Sequence, residues 1–267
     1  MSDILNTVYL GIIEGITEFL PISSTAHLLI AEHWLGERSE LFNVVIQAGA
    51  ILAIVLIYWQ RLLGLLIGWS QPENRDYAIK YVASVLITVV LAFIATRLGF
   101  KLSDAARPIA TAMLVGGILI LIIESAVARR AQVETLTWNV VVWVGIAQVI
   151  AGIFPGTSRS AAAIFAAMLA GMTSRPAATE FAFLVGIPIM FAASGYEYLK
   201  ARHSGAGAAP ENWDELAIAF VVSGVVAFIS VKWLLQYVRS HRFTVFAWYR
   251  IIAGIALFAL VANGTLS

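Results

Sequence analysis

The sequence predicts an all-α integral membrane protein: an inverted-topology repeat with six transmembrane helices and two re-entrant helix hairpins. Three observations predict it. The 267 residues are 60% hydrophobic and only 12% charged, with mean hydropathy +0.87, whereas charged residues make up about 25% of an ordinary soluble domain. Six apolar segments approach the roughly 20 residues that crossing about 30 Å of hydrocarbon requires. Two further apolar segments are broken by a proline and carry ionisable groups that are costly in a membrane interior.

In chain order, the first broken segment runs apolar over 4 to 20 with Glu14 and Glu18 inside it, breaks at Pro21, and resumes over about 25 to 35. Spans follow at about 42 to 60, 78 to 98 and 109 to 127. The second broken segment covers 138 to 154 and 159 to 170 around Pro155-Gly156 and Arg159, and is followed by spans at 178 to 198, 215 to 236 and 246 to 264. The stretches Trp69 to Asp76, Lys101 to Pro108 and Lys200 to Asp214 read as loops too short for a soluble domain. Residues 1 to 267 are therefore expected to form a single membrane domain. Non-helical backbone at membrane depth is tolerated only where protein buries it or where it lines a cavity, so the hairpin tips should line a cavity.

Residues 19 to 26 align with 153 to 160, placing Pro21 on Pro155, Ser23 on Thr157 and Ser24 on Ser158. Each break precedes three spans, which makes repeat 1 about 1 to 130 and repeat 2 about 131 to 267. A re-entrant hairpin returns to its starting side while three spans change sides, so the second repeat starts opposite to the first. Inverted repeats of this kind put broken-helix sites near the midplane. The Lys and Arg bias between loops favours both termini outside. Met1-Ser2-Asp3 lacks a basic n-region, so the apolar start is expected to remain rather than be cleaved as a signal peptide. A net charge of +1 without a basic stripe argues against nucleic acid as a partner. The absence of cysteine excludes disulfides, thiolate catalysis and thiolate metal sites.

Glu14 and Glu18 are four apart and share a helix face. Two acids there repel unless a cation, a proton or a basic group lies between them, which suggests a divalent-ion or general-base site; the alternative is a pair of structural acids bonded to the other repeat. Ser23, Ser24 and Thr25 stand at the start of the next half-helix, where one hydroxyl caps free N–H groups and three exceed what capping needs. A helix start also favours an anion. Ser24 and His27 are three apart, close enough for the histidine to activate or orient the serine, although a structural hydrogen bond is its other reading. Arg159 is too deep to snorkel, and its planar fork suits phosphate oxygens; an internal ion pair with Glu14 or Glu18 is the alternative. Thr157, Ser158 and Ser160 would add donors around a phosphate-sized ligand. Elsewhere, Glu124, Glu197 and Arg250 near span ends read as interfacial anchors, and Trp59, Trp69, Tyr77 and Trp138 as an aromatic belt. Gln47 and Glu180 either reach the cavity or pin helices together.

Glu-Gly-Ile-Thr-Glu-Phe-Leu-Pro-Ile-Ser-Ser-Thr-Ala-His-Leu (14 to 28), together with Pro-Gly-Thr-Ser-Arg-Ser (155 to 160), resembles the bacterial undecaprenyl-diphosphate phosphatase family, also known as bacitracin-resistance proteins. The resemblance spans essentially the whole chain, departing at Ala161, where family members commonly have glycine. It implies a multi-pass enzyme of the bacterial inner membrane that removes the terminal phosphate of undecaprenyl diphosphate. The lipid carrier is thereby recycled for peptidoglycan and other envelope polymers, and bacitracin resistance follows. It further implies a site facing the periplasm or exterior, a divalent cation such as Mg or Ca, and a polyprenyl diphosphate substrate reached among membrane lipids. On that reading Ser24 is the nucleophile, with His27 as its acid/base partner. Glu14 and Glu18 hold metal, Glu18 also being catalytic, and Arg159 with Ser23, Thr25, Thr157, Ser158 and Ser160 binds the phosphates. Direct attack by water remains an open alternative, a homodimer is admitted, and a transporter or flippase of an anionic polyprenyl lipid is the rival from another class.

Overall fold

The computed structural model describes residues 2–100, 105–203 and 212–266. Its helices are α1 (Ser2–Thr17), α2 (Ser24–Leu35), α3 (Glu40–Ile57), α4 (Trp59–Ile67), α5 (Pro72–Arg97), α6 (Ala106–Val127), α7 (Trp138–Ile153), α8 (Arg159–Leu169), α9 (Arg175–His203), α10 (Trp213–Tyr237) and α11 (Thr244–Ala262). Six of them, α3, α5, α6, α9, α10 and α11, are long and apolar enough to cross a membrane. The protein is thus a multi-pass membrane protein, all-helical across the described residues.

Two boundaries differ from expectation. Most of the loop expected over Trp69 to Asp76 is helical, because Pro72 opens α5 at a first-turn position where its missing N–H costs nothing. Residues 59 to 67, expected as the end of a span and its tail, form the separate helix α4, divided from α3 at Tyr58 (φ −101°, ψ 14°). Of the other two expected loops, residues 101 to 104 and 204 to 211 lie outside the described residues.

Hydroxyls and glycines set the helix contacts. Gly49 lies against the Phe220 carbonyl and Gly15 against that of Ser223, positions where a Cβ would collide with backbone, so small residues let these helices approach closely. Ser223 Oγ donates to the Ile46 carbonyl at 2.6 Å, tying α10 to α3. Ser84 and Thr88 donate to the carbonyls of Val141 (3.0 Å) and Gly145 (3.2 Å), tying α5 to α7. With α7, α8, α9, α10 and α11 set against α1, α2, α3, α5 and α6, the contact of α1 with α10 corresponds to that of α7 with α5. The contact of α3 with α10 corresponds likewise to that of α9 with α5, and α3–α9 and α6–α11 join counterparts.

Two of the three expected interfacial anchors, Glu124 and Arg250, are buried inside the bundle. Glu124 is buried; it accepts from Arg175 Nε (2.9 Å) and Nη2 (2.5 Å) and from the Phe243 backbone N–H (2.9 Å), so it locks α6, α9 and the start of α11. Its place near a span end is the end of a packed bundle, not a lipid boundary. Arg250 is also fully buried, and the Glu197 side chain lies outside the described residues. Glu180 pairs with Arg61 at 3.3 Å, and the Arg61 guanidinium sits 4.3 Å from the centre of the Tyr77 ring. Tyr77 therefore belongs to a packed cluster, while Trp59, Trp69 and Trp138 are exposed as a belt requires.

Candidate active site

The two breaks have the same backbone device. Ser23 precedes α2 with φ 74°, ψ 96°, and Ser158 precedes α8 with φ 68°, ψ 111°; they are the two non-glycine residues with positive φ among those described. Such conformations cost about 1–3 kcal/mol each and collect at functional sites. They also match the two breaks in a register different from the one that aligning the prolines gives. Aligning the prolines places Ser24 on Ser158, but by conformation Ser158 corresponds to Ser23 and Arg159 to Ser24. The second break holds one more residue between proline and helix, accommodated by Gly156 at φ 88°.

The helix starts then part company. In α8 the Ser158 hydroxyl accepts from the Ala161 N–H at 3.3 Å, an ordinary cap. In α2 no side chain caps the first turn, and Ser23 Oγ is buried without a hydrogen-bond partner. The first N–H groups of α2 are thus left without a side-chain acceptor at the end of the helix that favours negative charge.

Between the breaks, Ser24 Oγ donates to Glu18 Oε2 at 2.5 Å, and Arg159 Nη2 donates to Glu18 Oε1 at 3.1 Å. Glu18 thereby joins residues 24 and 159, one from each break. This is the internal ion pair named above as the alternative for Arg159, whose side chain remains 27% exposed and so within reach of a ligand. Ser160 Oγ lies 3.0 Å from Ser158 Oγ and donates to the Leu20 carbonyl at 3.2 Å, stitching the second break to the first. His27 does not pair with Ser24. Its Nδ1 lies 2.6 Å from the Ser23 carbonyl and its Nε2 2.6 Å from the Tyr249 hydroxyl, with the two rings stacked. Glu18, one turn back across the break, occupies the position beside the serine that the histidine was expected to take.

A cavity of about 830 Å³ opens over this cluster, lined by Glu14, Ser24, Thr25, Asn43, Gln47 and Arg159 among others. Gln47 thus both reaches the cavity and pins helices, accepting from Ser194 at 3.2 Å. Glu14 is 2% exposed, and its Oε2 has no hydrogen-bond partner. A buried carboxylate oxygen left open next to a second carboxylate fits a hard, oxygen-seeking cation. Among the described residues no group of three His, Cys, Asp or Glu side chains is arranged to hold a metal; Glu14 and Glu18 are the two carboxylates that a cation here would meet. Thr157 turns elsewhere: it lines an apolar groove of about 570 Å³ between α6, α7 and α8, together with Ile120, Trp143, Ala162 and Phe165.

Two residues in contact with the site are not singled out by sequence reasoning: Tyr249, which meets His27, and Arg250, which meets both breaks, on α11. The signal was present, since an arginine inside an apolar span is costly unless it has a role. Reading residue 250 as lying near a span end discounted it.

The fold and site define a class: a multi-pass membrane protein in which two broken helices bring a carboxylate, a serine and an arginine together at the floor of a polar cavity beside an apolar groove. The chain belongs to the family described as Bacitracin resistance protein BacA, which it matches over residues 7–256. Relatives named undecaprenyl-diphosphatase extend over nearly the whole chain. One from Rhizobium etli is 60% identical over 265 residues, covering 99% of this chain and 100% of its own. One from Rhizobium leguminosarum bv. trifolii is 61% identical over 263 residues, 98% of each. One from Xanthomonas oryzae pv. oryzae is 52% identical over 257 residues, 96% of this chain and 97% of its own.

Proposed function

We propose that this protein is an undecaprenyl-diphosphatase, hydrolysing the terminal phosphoanhydride of the membrane-bound polyprenyl diphosphate to polyprenyl phosphate and inorganic phosphate. The observation that carries the reading is the Ser24–Glu18–Arg159 cluster: a hydroxyl, the acceptor for its proton and a phosphate-binding fork within one set of hydrogen bonds. The names of the full-length relatives support it.

The terminal phosphate enters beside the uncapped α2 start and competes with Glu18 for Arg159, whose bidentate fork matches phosphate oxygens. Ser24 Oγ attacks the terminal phosphorus and passes its proton to Glu18. The bond to the bridging oxygen breaks, and polyprenyl phosphate leaves with the proton that Glu18 returns to that oxygen. Water then attacks the phosphoserine, giving its proton through Glu18, so that inorganic phosphate departs and Ser24 recovers its hydrogen. His27, fixed between Ser23 and Tyr249, sets the backbone from which Ser24 projects. Positioning and charge stabilisation supply most of the rate in phosphoryl transfer. A Mg or Ca ion held by Glu14 and Glu18 supplies neutralisation of phosphate charge. The apolar groove that begins at Thr157 is suited to the polyprenyl chain.

The correspondence of packing between halves supports an inverted repeat, about 1 to 130 and 131 to 267, with the site near the midplane. The family description supports bacitracin resistance; on the same reading the protein lies in the bacterial inner membrane with its site open to the periplasm and recycles the lipid carrier for envelope polymers. Purified protein in detergent is expected to release inorganic phosphate from undecaprenyl diphosphate with Mg present and to lose activity with a chelator. No release, combined with vectorial movement of the lipid in vesicles, would replace this reading with a lipid flippase.

A further inference from the structure

Arg250 is fully buried in α11 and, among the described residues, forms no ion pair with a carboxylate. Its guanidinium is spent on backbone carbonyls instead: Nη1 donates to Pro21 (3.4 Å), Nη2 to Gly156 (3.0 Å) and to Ala112 (3.0 Å), and Nε to Met113 (3.4 Å). Pro21 and Gly156 belong to the two different breaks, so one side chain grips both tips and anchors them to α6.

The room for it is provided by α6. A Cβ on Gly116 would overlap the guanidinium, and one on Gly117 would crowd the Arg250 stem. Burying a charge is costly, and a hydrophobic side chain of the same volume would often pack at least as well. Bundle stability alone therefore does not account for an arginine here.

We propose that Arg250 is a positioning residue for the phosphatase reaction: it holds the two breaks in register and turns their carbonyls away from the site, so that Ser24 and Arg159 address the same phosphate. A broken helix exposes both polar groups of its backbone. N–H groups attract an anion, whereas carbonyl oxygens repel one. By taking the Pro21 and Gly156 carbonyls, Arg250 withdraws two acceptors that would otherwise repel a phosphate at the breaks. Among the described residues the breaks are otherwise joined by the Ser160–Leu20 bond and by the Arg159–Glu18 pair, for which the phosphate competes, so with phosphate bound Arg250 and Ser160 are left to resist a small relative displacement.

The inference rests on the phosphatase reading and is tested on the purified full-length protein with undecaprenyl diphosphate, following kcat, KM and thermal unfolding of Arg250→Met, Arg250→Lys and Gly116→Ala. Misplacing reacting groups by about an ångström costs ~10²-fold, so Arg250→Met is expected to lose ~10²-fold in kcat, with KM within about threefold. Arg250→Lys regains part of that loss, since an ammonium donates three bonds but cannot span both breaks. Gly116→Ala, which leaves the arginine in place but displaces its head, reproduces the kcat loss. Normal kcat per folded molecule in both Arg250→Met and Gly116→Ala, with only the melting temperature lowered, overturns the proposal. If Arg250→Met does not fold, normal kcat in both other variants overturns it equally. Absence of phosphate release by the unmodified protein overturns the phosphatase reading instead.

Discussion

Glu18 is the residue that ties the two breaks together, because one of its oxygens holds Ser24 and the other Arg159. Removing Arg159 removes a phosphate donor and frees Glu18 at once. Arg159→Ala is therefore expected to lower kcat/KM by ~10²–10³-fold, the usual range for losing one preorganised donor. Arg159→Lys should recover little, since it lacks the fork. Phosphate-release kinetics on folded protein check both, and near-normal turnover in either variant would remove Arg159 from the site. Glu18→Gln keeps the shape but cannot take the serine proton, so a loss of ~10²–10⁴-fold is expected, typical of a general base. Covalent chemistry predicts a phosphoserine at position 24, trapped by acid quench and found by mass spectrometry; sustained turnover in Ser24→Ala would favour direct attack by water. Glu14, Glu18, Ser24 and Arg159 were legible in the sequence as polar groups with no reason to lie in an apolar chain. Which of them touch was not legible, since Ser24 meets Glu18 across a break whose turn no local spacing rule describes, and His27 meets Tyr249 from 222 positions away.

The helices themselves were nearly all visible, because each span must be apolar over most of its length and each break carries a proline. What local pattern did not reveal is the conformation at the break. Ser23 and Ser158 occupy a region that L-residues rarely enter. Ser23→Gly and Ser23→Ala both delete the hydroxyl, but only glycine relaxes the backbone. After glycine's entropic cost of about 0.5–1 kcal/mol, the glycine variant should be the more stable by about 1–2 kcal/mol, and equal melting temperatures would contradict strain at this residue. The groove along α8 predicts a chain-length effect. Ala166→Trp narrows it and should raise KM for undecaprenyl diphosphate while leaving a short-chain diphosphate unaffected, as paired kinetics would show; equal KM changes would place the lipid chain elsewhere.

Across the whole molecule, the buried Glu124–Arg175 pair lies well away in sequence from both breaks and joins α6, α9 and α11. Glu124→Ala strands a buried arginine, so it should cost about 3–5 kcal/mol of stability while leaving KM unchanged in the folded fraction, a contrast with Arg250 that thermal melts and kinetics together reveal. Because the chain has no cysteine, single cysteines report topology directly. One at Glu37 and one at Gln71 should label from opposite sides of the membrane if the N-terminal end of α3 faces outward.

Composition, the length of apolar runs and two proline breaks determined by themselves that this chain crosses a membrane six times and keeps polar chemistry at two interruptions. Those features are properties of single segments in a solvent that tolerates no unpaired backbone. The tertiary structure alone decided that Glu18 rather than His27 takes the Ser24 hydroxyl, that the two breaks match in conformation at Ser23 and Ser158, and that Arg250 joins the two breaks. Each of these depends on bringing segments far apart in sequence to within hydrogen-bond distance, or on a turn whose strain is sustained only by its neighbours.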